Sequence, residues 1–223
     1  MKSLIFISLI IFTFQDLKGI DVSEWQGHNI DWKKVKQSGV KFAIIRSGYV
    51  KKGTSKTVRD EYFDVNYKRA REVGIPIGSY WYAYAKSTKQ AQVEALACLS
   101  IIKGHKFEWP IYYDVEDGDM RAAGKKSVSA ASRTFCDTLM KNKFYCGFYS
   151  SASFYSLFDD DLKNKYPIWV AHYGVKKPGY NGKWGIWQHS SKGRVNGIKG
   201  NVDMDIAKID YTPIIKSGHY NGY

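Results

Sequence analysis

The sequence predicts a single α/β domain in which mostly parallel strands close into a barrel or a variant of one. Apolar runs alternate with helical segments up to about residue 150, and a strand-rich stretch follows. Residues 42–45 are apolar without alternation, as expected for a strand covered on both faces. Acidic residues follow several strands, and barrels of this kind carry their functional groups at the carboxyl ends of the strands.

The chain of 223 residues is long enough for one domain of about 200 residues with its own core. Met1 and Lys2 precede an apolar run over residues 4–14, which has the layout of a secretory signal peptide and is too short to span a bilayer. We assign residues 1–18 to the signal peptide, 19–215 to the domain and 216–223 to a polar, frayed tail. The protein is then secreted, or delivered to a lysosome-, granule- or phagosome-like vesicle.

The predicted elements alternate in order along the chain. A capping box at Ser87 and Gln90 opens one of the helices, and Asp31 caps another. Residues 49–58 form a basic loop. The predicted strands cover residues 19–23, 41–46, 75–85, 111–116, 144–149, 166–173, 184–189 and 201–205. The predicted helices cover residues 31–38, 60–73, 87–103 and 127–141, with a short helix or turn over 151–158.

The formal net charge of +13 predicts an affinity for polyanions. Candidate partners are bacterial walls with their teichoic acids, anionic membranes and nucleic acid. The lysines are spread out without a dense basic tract, and the many aromatic residues suit sugar stacking as well as base stacking. We therefore expect binding to anionic cell-wall polymers through a basic surface, no nucleic-acid partner, no transmembrane segment in the mature protein, and a monomer.

Three cysteines predict one disulfide and one free thiol in an oxidising compartment. Cys98 and Cys136 fall on predicted helices that flank the strand carrying Asp114, so we expect these two to pair. Cys146 lies in an apolar strand and is then the buried free thiol.

The motifs of several classes of functional site are absent from the sequence. It contains no Gly-x-Ser-x-Gly elbow, P-loop, dinucleotide fingerprint or His-Glu-x-x-His motif, and its histidines lack metal-ligand spacing. We expect neither a cofactor nor a bound metal.

The strand over residues 111–116 ends in a cluster of acids. Side chains alternate along a strand, so Tyr112, Asp114 and Glu116 share one face. Two neighbouring carboxyl groups are costly to bury unless they are paired, protonated or used. Glycoside cleavage needs such a pair, with one pKa raised and the other kept low. The alternative is a strand that ends in a solvated acidic turn.

A set of motifs over residues 19 to about 207 resembles glycoside hydrolase family 25, the lysozymes of the fungal, bacteriophage and bacterial-autolysin type. Each motif is weak alone, but together they stand in the order and spacing of that family. They are Gly19-Ile20-Asp21-Val22-Ser23, Gln26-Gly27, Ile30-Asp31-Trp32, Asp114-Val115-Glu116, Trp169-Val170-Ala171-His172-Tyr173-Gly174, Trp187-Gln188 and Gly200-Asn201-Val202-Asp203.

The resemblance implies a modified (β/α) TIM-like barrel with an acidic groove and an irregular, strand-rich C-terminal part. It implies hydrolysis of β-1,4 bonds between N-acetylmuramic acid and N-acetylglucosamine in peptidoglycan, without a cofactor. By position, Glu116 resembles the general acid/base, and Asp114 resembles the partner carboxylate that stabilises or assists the second step. Asp21 and Asp203 resemble the two other groove carboxylates, and Asp205 ranks below them as a substrate-binding residue.

Aromatic rings are the expected sugar platforms, because pyranose C–H faces pack on them. Many family members have Tyr-His-Phe where this chain has Tyr80-Trp81-Tyr82, which changes the shape of a subsite. For Trp109 and Trp187 a place in the core is an equal alternative. The other candidate platforms are Tyr80, Tyr82, Tyr112, Trp169 and Tyr173.

Three other functions compete with a secreted muramidase. A family 18 chitinase acting on N-acetylglucosamine polymers uses a longer Asp-rich motif, and the earlier Asp is missing here. A silent wall-binding lectin is disfavoured because all four acids are present. A basic antimicrobial protein would act by charge alone. The Asp-x-Glu pair suits attack by the substrate's own acetamide, so we expect net retention.

Overall fold

The computed structural model describes residues 16–223, which contain nine strands and six α-helices. The strands are β1 (Leu17–Val22), β2 (Phe42–Val50), β3 (Thr57–Arg59), β4 (Ile77–Tyr82), β5 (Ile111–Asp114), β6 (Cys146–Ser151), β7 (Ile168–Ala171), β8 (Ile186–Gly193) and β9 (Val202–Ala207). The helices are α1 (Trp32–Gln37), α2 (Phe63–Glu72), α3 (Thr88–Ile102), α4 (Gly118–Lys141), α5 (Asp160–Lys165) and α6 (Thr212–Ser217).

The strands close into one barrel, which confirms the predicted fold class. Neighbours follow the order β1, β9, β8, β7, β6, β5, β4, β2, and β2 pairs with β1 to complete the ring. Within this ring all pairings are parallel except those of β9, which runs antiparallel between β8 and β1. No helix separates β7, β8 and β9. This is the irregular, strand-rich C-terminal part that we predicted.

Strand alternation divides the core into an outer and an inner layer. Ile20 and Ile45 face outward and pack under the helices, while Phe42 and Ile44 face into the barrel. Aromatic rings fill the interior, where Phe42 stacks on Trp109 with ring centres 3.8 Å apart. Gly19 pairs in register with Phe42, and a Cβ on Gly19 would lie only 2.1 Å from the Phe42 ring. Glycine here makes room for the aromatic core.

The predicted signal peptide lies mostly outside the described residues. Its last two residues, Leu17 and Lys18, belong to β1 and pair with Ala207 and Ile206. A cleavage that preserves this pairing therefore falls before Leu17. Within the described range, no helix is long and apolar enough to cross a bilayer.

Helix α4 begins nine residues before the predicted start at residue 127, at Gly118. Gly124, with φ of +79°, interrupts it, so a first helical segment precedes the predicted one. Three further elements, β3, α5 and α6, were not predicted. Strand β3 lies in the predicted basic loop and forms an antiparallel hairpin with β2.

The prediction of a frayed tail is wrong. Asn221 is fully buried, and its side chain donates to the Trp109 carbonyl (2.9 Å) and accepts from the Tyr145 N–H (2.7 Å). Its backbone bonds Lys143 and Phe107. The chain end is therefore fastened to the end of the barrel where β5 and β6 begin.

The predicted Cys98–Cys136 disulfide is also wrong. Cys136 pairs with Cys146, with Cα atoms 5.3 Å apart, and Cys98 is the buried free thiol. The short turn between α4 and β6 brings Cys136 onto the first residue of β6. Cys98 instead lies within reach of Ser47 on β2, so the two helices direct their cysteines towards different strands.

Candidate active site

A cleft of about 370 Å³ opens at the carboxyl ends of the parallel strands. Its walls combine acids, aromatic rings and amides, as a site for a polar polymer would. The lining residues are Asp21, Ser23, Trp25, Gln26, Arg46, Tyr80, Tyr82, Asp114, Glu116, Tyr149, Trp169, Tyr173, Gln188, Ser191 and Asp203.

The four predicted acids meet in this cleft. Asp21 is the last residue but one of β1, Asp114 ends β5, and Glu116 follows two residues later. Asp203 comes from β9, and because β9 runs antiparallel, its beginning reaches the same end of the barrel. Asp203 stands opposite Asp21 in register. Asp205, two residues further along β9, is fully buried below the cleft, where it accepts a hydrogen bond from Trp169 Nε1 (2.8 Å).

Burial raises the pKa of every cleft carboxyl, and repulsion from other acids adds to the rise at Asp21, Asp114 and Glu116. For Asp114, which is only 4% exposed, burial raises the pKa first, and the charge of Glu116 adds to it. Burial also raises the pKa of Asp203 to about 6. Glu116 is accessible at the lip of the cleft, but the surrounding walls still raise its pKa by desolvation. The charges of Asp203 and Asp117 raise it further.

A buried arginine balances part of this negative charge. Arg46, in the middle of β2, donates to Asp60 (2.7 Å) and lies 2.6 Å from a Glu24 carboxylate oxygen. Its positive charge opposes the rise in the pKa of Asp114. Sequence reasoning missed Arg46, although a charged residue directly after the apolar run of β2 was the available signal.

A glutamine ties several strands together at the base of the cleft. Gln188 Nε2 donates to Asp21 Oδ2 (2.7 Å), and Gln188 Oε1 accepts from the Tyr149 hydroxyl (2.7 Å) and from the Tyr173 hydroxyl. These bonds join β1, β6 and β8 to the segment that follows β7. Gln188 and Tyr149 were not predicted as site residues, because their meeting depends on the closure of the barrel.

The predicted sugar platforms separate into two groups. Tyr80, Tyr82, Trp169 and Tyr173 line the cleft, and Tyr173 is 45% exposed at its rim. Tyr112 is fully buried beneath them, with its ring 5.2 Å from that of Trp169.

Three other tryptophans lie elsewhere. Trp109 fills the barrel interior, and Trp187 packs in the outer layer. Trp25, which was not predicted, is 82% exposed beside the cleft. Its turn is held by the capping box of Ser23 and Gln26.

A second cavity of about 360 Å³ adjoins the cleft. Glu116, Tyr149 and Tyr173 border both cavities, and Ser151 and His172 line the second one. Glu116 therefore stands between two spaces of similar size, and the first of them is the richer in carboxylates. A chain of sugars lying across both would present the link between two units to this side chain.

Comparison with known proteins agrees with this architecture. A profile of Glycosyl hydrolases family 25 matches residues 20–198. The uncharacterized protein YegX of Escherichia coli is 32% identical over 195 residues, which span 85% of this chain and 69% of that protein. Lysozyme M1 of Streptomyces globisporus is 31% identical over 209 residues, spanning 85% of this chain and 67% of that protein.

A solved structure shares the fold. The bacterial lysozyme of Streptomyces coelicolor superposes with a TM-score of 0.75 at 26% identity, covering 90% of this chain and 96% of that one. The family match covers the strands that carry Asp21, Asp114 and Gln188. It favours family 25 over the family 18 alternative. The chain belongs to glycosyl hydrolase family 25 and is a glycoside hydrolase.

Proposed function

We propose that this glycoside hydrolase is a secreted muramidase. It hydrolyses β-1,4 bonds between N-acetylmuramic acid and N-acetylglucosamine in bacterial peptidoglycan. The observation that carries the proposal is the pairing of an accessible Glu116, whose pKa is raised, with a buried Asp114 on the same face of the β5 segment. Similarity to Lysozyme M1 and to the autolytic lysozyme of Clostridium acetobutylicum supports the choice of substrate.

Glu116 serves as the general acid and then as the general base. The glycosidic oxygen must receive a proton as its bond breaks, from an acid that is still protonated at the working pH. The raised pKa of Glu116 favours its protonated form. Its place between the two cavities supports this role, because a glycan lying across both would carry a sugar–sugar link past Glu116.

Asp114 orients the substrate's acetamide. Its Oδ1 atom is buried and has no hydrogen-bond partner among the described residues, so it is an acceptor that needs a donor. The N–H of an N-acetyl group is such a donor. Held this way, the acetamide oxygen attacks the anomeric carbon, and a water activated by Glu116 later opens the ring formed, which gives net retention.

The remaining groups stabilise charge and hold the sugar. Asp21 and Asp203 supply negative charge that steadies the oxocarbenium-like centre. Tyr80, Tyr82 and Tyr173 offer rings for the pyranose faces, while Trp169 is held in place by Asp205.

The test compares wild type, Glu116→Gln and the control Glu72→Gln on insoluble Gram-positive peptidoglycan, with reductive labelling of new chain ends. Glu72 is an exposed acid of α2 outside the cleft. We expect muramic-acid ends from wild type and the control, and a loss of at least about 100-fold for Glu116→Gln. Glucosamine ends, or equal activity of the two variants, would refute the assignment. Proton NMR of the first product gives the anomeric outcome.

Secretion is the other part of the proposal. The basic n-region and apolar run over residues 1–15 support it, and the pairing of Leu17 with Ala207 favours removal at or before residue 16. Mass spectrometry of the exported protein tests the site. A mature chain that begins after Lys18 would contradict the inferred cleavage.

A further inference from the structure

A third cavity, of about 180 Å³, lies beside the cleft between the β2–β3 turn and the start of α3. Tyr82 lines the cleft and Tyr84 lines this pocket, and their ring centres are 4.9 Å apart. Lys52, on its rim, donates to Asp117 (3.1 Å), the residue that follows Glu116. The pocket and the cleft therefore share a wall.

The rim of this pocket is cationic. Lys51, Lys52 and Lys89 line it, and we call it the lysine pocket. Lys52 is paired with Asp117 and Asp119. Lys51 and Lys89 are exposed, and neither has a carboxylate within 4 Å in the part of the chain that the structure describes. Ammonium groups gathered in this way attract an anion.

The floor of the lysine pocket is apolar. Val50 and Ala85 are buried there, and Val93 is half-buried. Glu94 closes the bottom, but its oxygens already accept from the Tyr84 N–H (2.9 Å) and from the Tyr113 hydroxyl. A cationic rim above an apolar floor fits a carboxylate that carries a small alkyl group. A hydrated polyol phosphate would leave the floor without a contact.

We propose that the lysine pocket binds a carboxylate of a peptide stem borne by the same glycan chain that occupies the cleft. The inference rests on the proposed function, because peptidoglycan carries such peptides on alternate sugars. The rings of Tyr82 and Tyr84 are adjacent, so a peptide stem on a sugar that packs against Tyr82 needs to extend only past the Tyr84 ring to reach the pocket. The pocket thus makes the enzyme prefer peptide-bearing glycan over bare glycan.

The test compares Lys51→Gln/Lys89→Gln with the control Lys41→Gln/Lys103→Gln. The control removes the same charge at exposed positions before β2 and after α3, at the opposite end of the barrel. The substrates are soluble glycan chains free of teichoic acid, with stems intact, with stems removed by an amidase, or with stem carboxylates converted to amides. We expect the pocket variant to raise KM about fivefold to tenfold on intact stems only, with kcat unchanged. We expect amidation to raise the wild-type KM by a similar factor.

Three results would overturn the proposal. They are an equal KM for variant and wild type on intact stems, an equal loss on bare glycan, and a variant effect that appears only when teichoic acid is restored, which would assign the pocket to phosphate. Failure of the proposed function is distinguishable, since wild type would then release no muramic-acid ends from any of these substrates.

Discussion

Replacing Asn221 with alanine tests the contacts that fasten the end of the chain beneath the barrel. The side chain forms hydrogen bonds with two main-chain groups, the Trp109 carbonyl (2.9 Å) and the Tyr145 N–H (2.7 Å). Neither group has another partner in the described structure. Alanine would leave both unpaired inside the protein.

The size of the effect follows from these bonds. A buried group left without its partner costs about 1–3 kcal/mol. Asn221 also has φ of +53°, a conformation that alanine adopts at an additional cost of about 1 kcal/mol. Tyr145 is half-buried, so water replaces part of the hydrogen bond that its N–H loses. We expect the free energy of unfolding to fall by about 2–4 kcal/mol and Tm by roughly 4–16 °C.

The assay is chemical and thermal unfolding followed by circular dichroism. Asn221→Gly separates the two contributions, because glycine removes the bonds but tolerates the positive φ. Asn196→Ala, at an exposed turn, is the matched control and should change stability by less than about 0.5 kcal/mol. Activity at 25 °C should stay unchanged, since Asn221 lies at the end of the barrel away from the cleft. A loss below about 0.5 kcal/mol for Asn221→Ala would refute the reasoning.

Three further predictions concern the thiols and the acids. Alkylation of the unfolded, unreduced protein should label only Cys98, as seen by peptide mass mapping, and serine at both disulfide positions should cost about 2–3 kcal/mol of unfolding free energy. Asp117→Asn keeps a helix-capping side chain but removes a charge that raises the pKa of Glu116, so the high-pH limb of kcat/KM should move to lower pH; an upward move would contradict this. Burial raises the pKa of Asp205 to about 8, so the folded protein keeps a proton that the unfolded chain loses above about pH 4. Stability should therefore fall as pH rises from about 4 to 8, and Asp205→Asn, whose amide oxygen still accepts from Trp169, should flatten that slope in thermal melts at several pH values.

Local patterns were enough to predict much of the fold and the acids of the site. Alternation along β5 places Asp114 and Glu116 on one face whatever the rest of the chain does. Asp21 lies at the carboxyl end of the first strand, one residue before its last, and a parallel barrel brings such ends together. These inferences need only strand periodicity and one rule of barrel geometry.

Other features depend on contacts between distant parts of the chain. The bond between Gln188 and Asp21 spans 167 positions and exists only because β9 closes the ring. The hydrogen bond from Asn221 to the Trp109 carbonyl spans 112 positions. The disulfide depends on the direction in which each helix points its cysteine side chain. The predicted pairing of Cys98 with Cys136 assumed that the two neighbouring helices point their cysteines towards each other. Periodicity carries no information of that kind.

The orientation of the Gln188 amide has a consequence for where a proton can reside. The Gln188 amide N–H donates a hydrogen bond to Oδ2 of Asp21. A proton taken up by that carboxyl therefore sits on the other oxygen, Oδ1. Burial and then the charge of Asp205 raise the pKa of Asp21, and the Oδ2 atom of Asp205 has no hydrogen-bond partner among the described residues. A single proton shared by the two acids would leave one negative charge for both. Since Asp21 and Asp205 belong to β1 and β9, such a proton would also link the two strands at which the barrel closes.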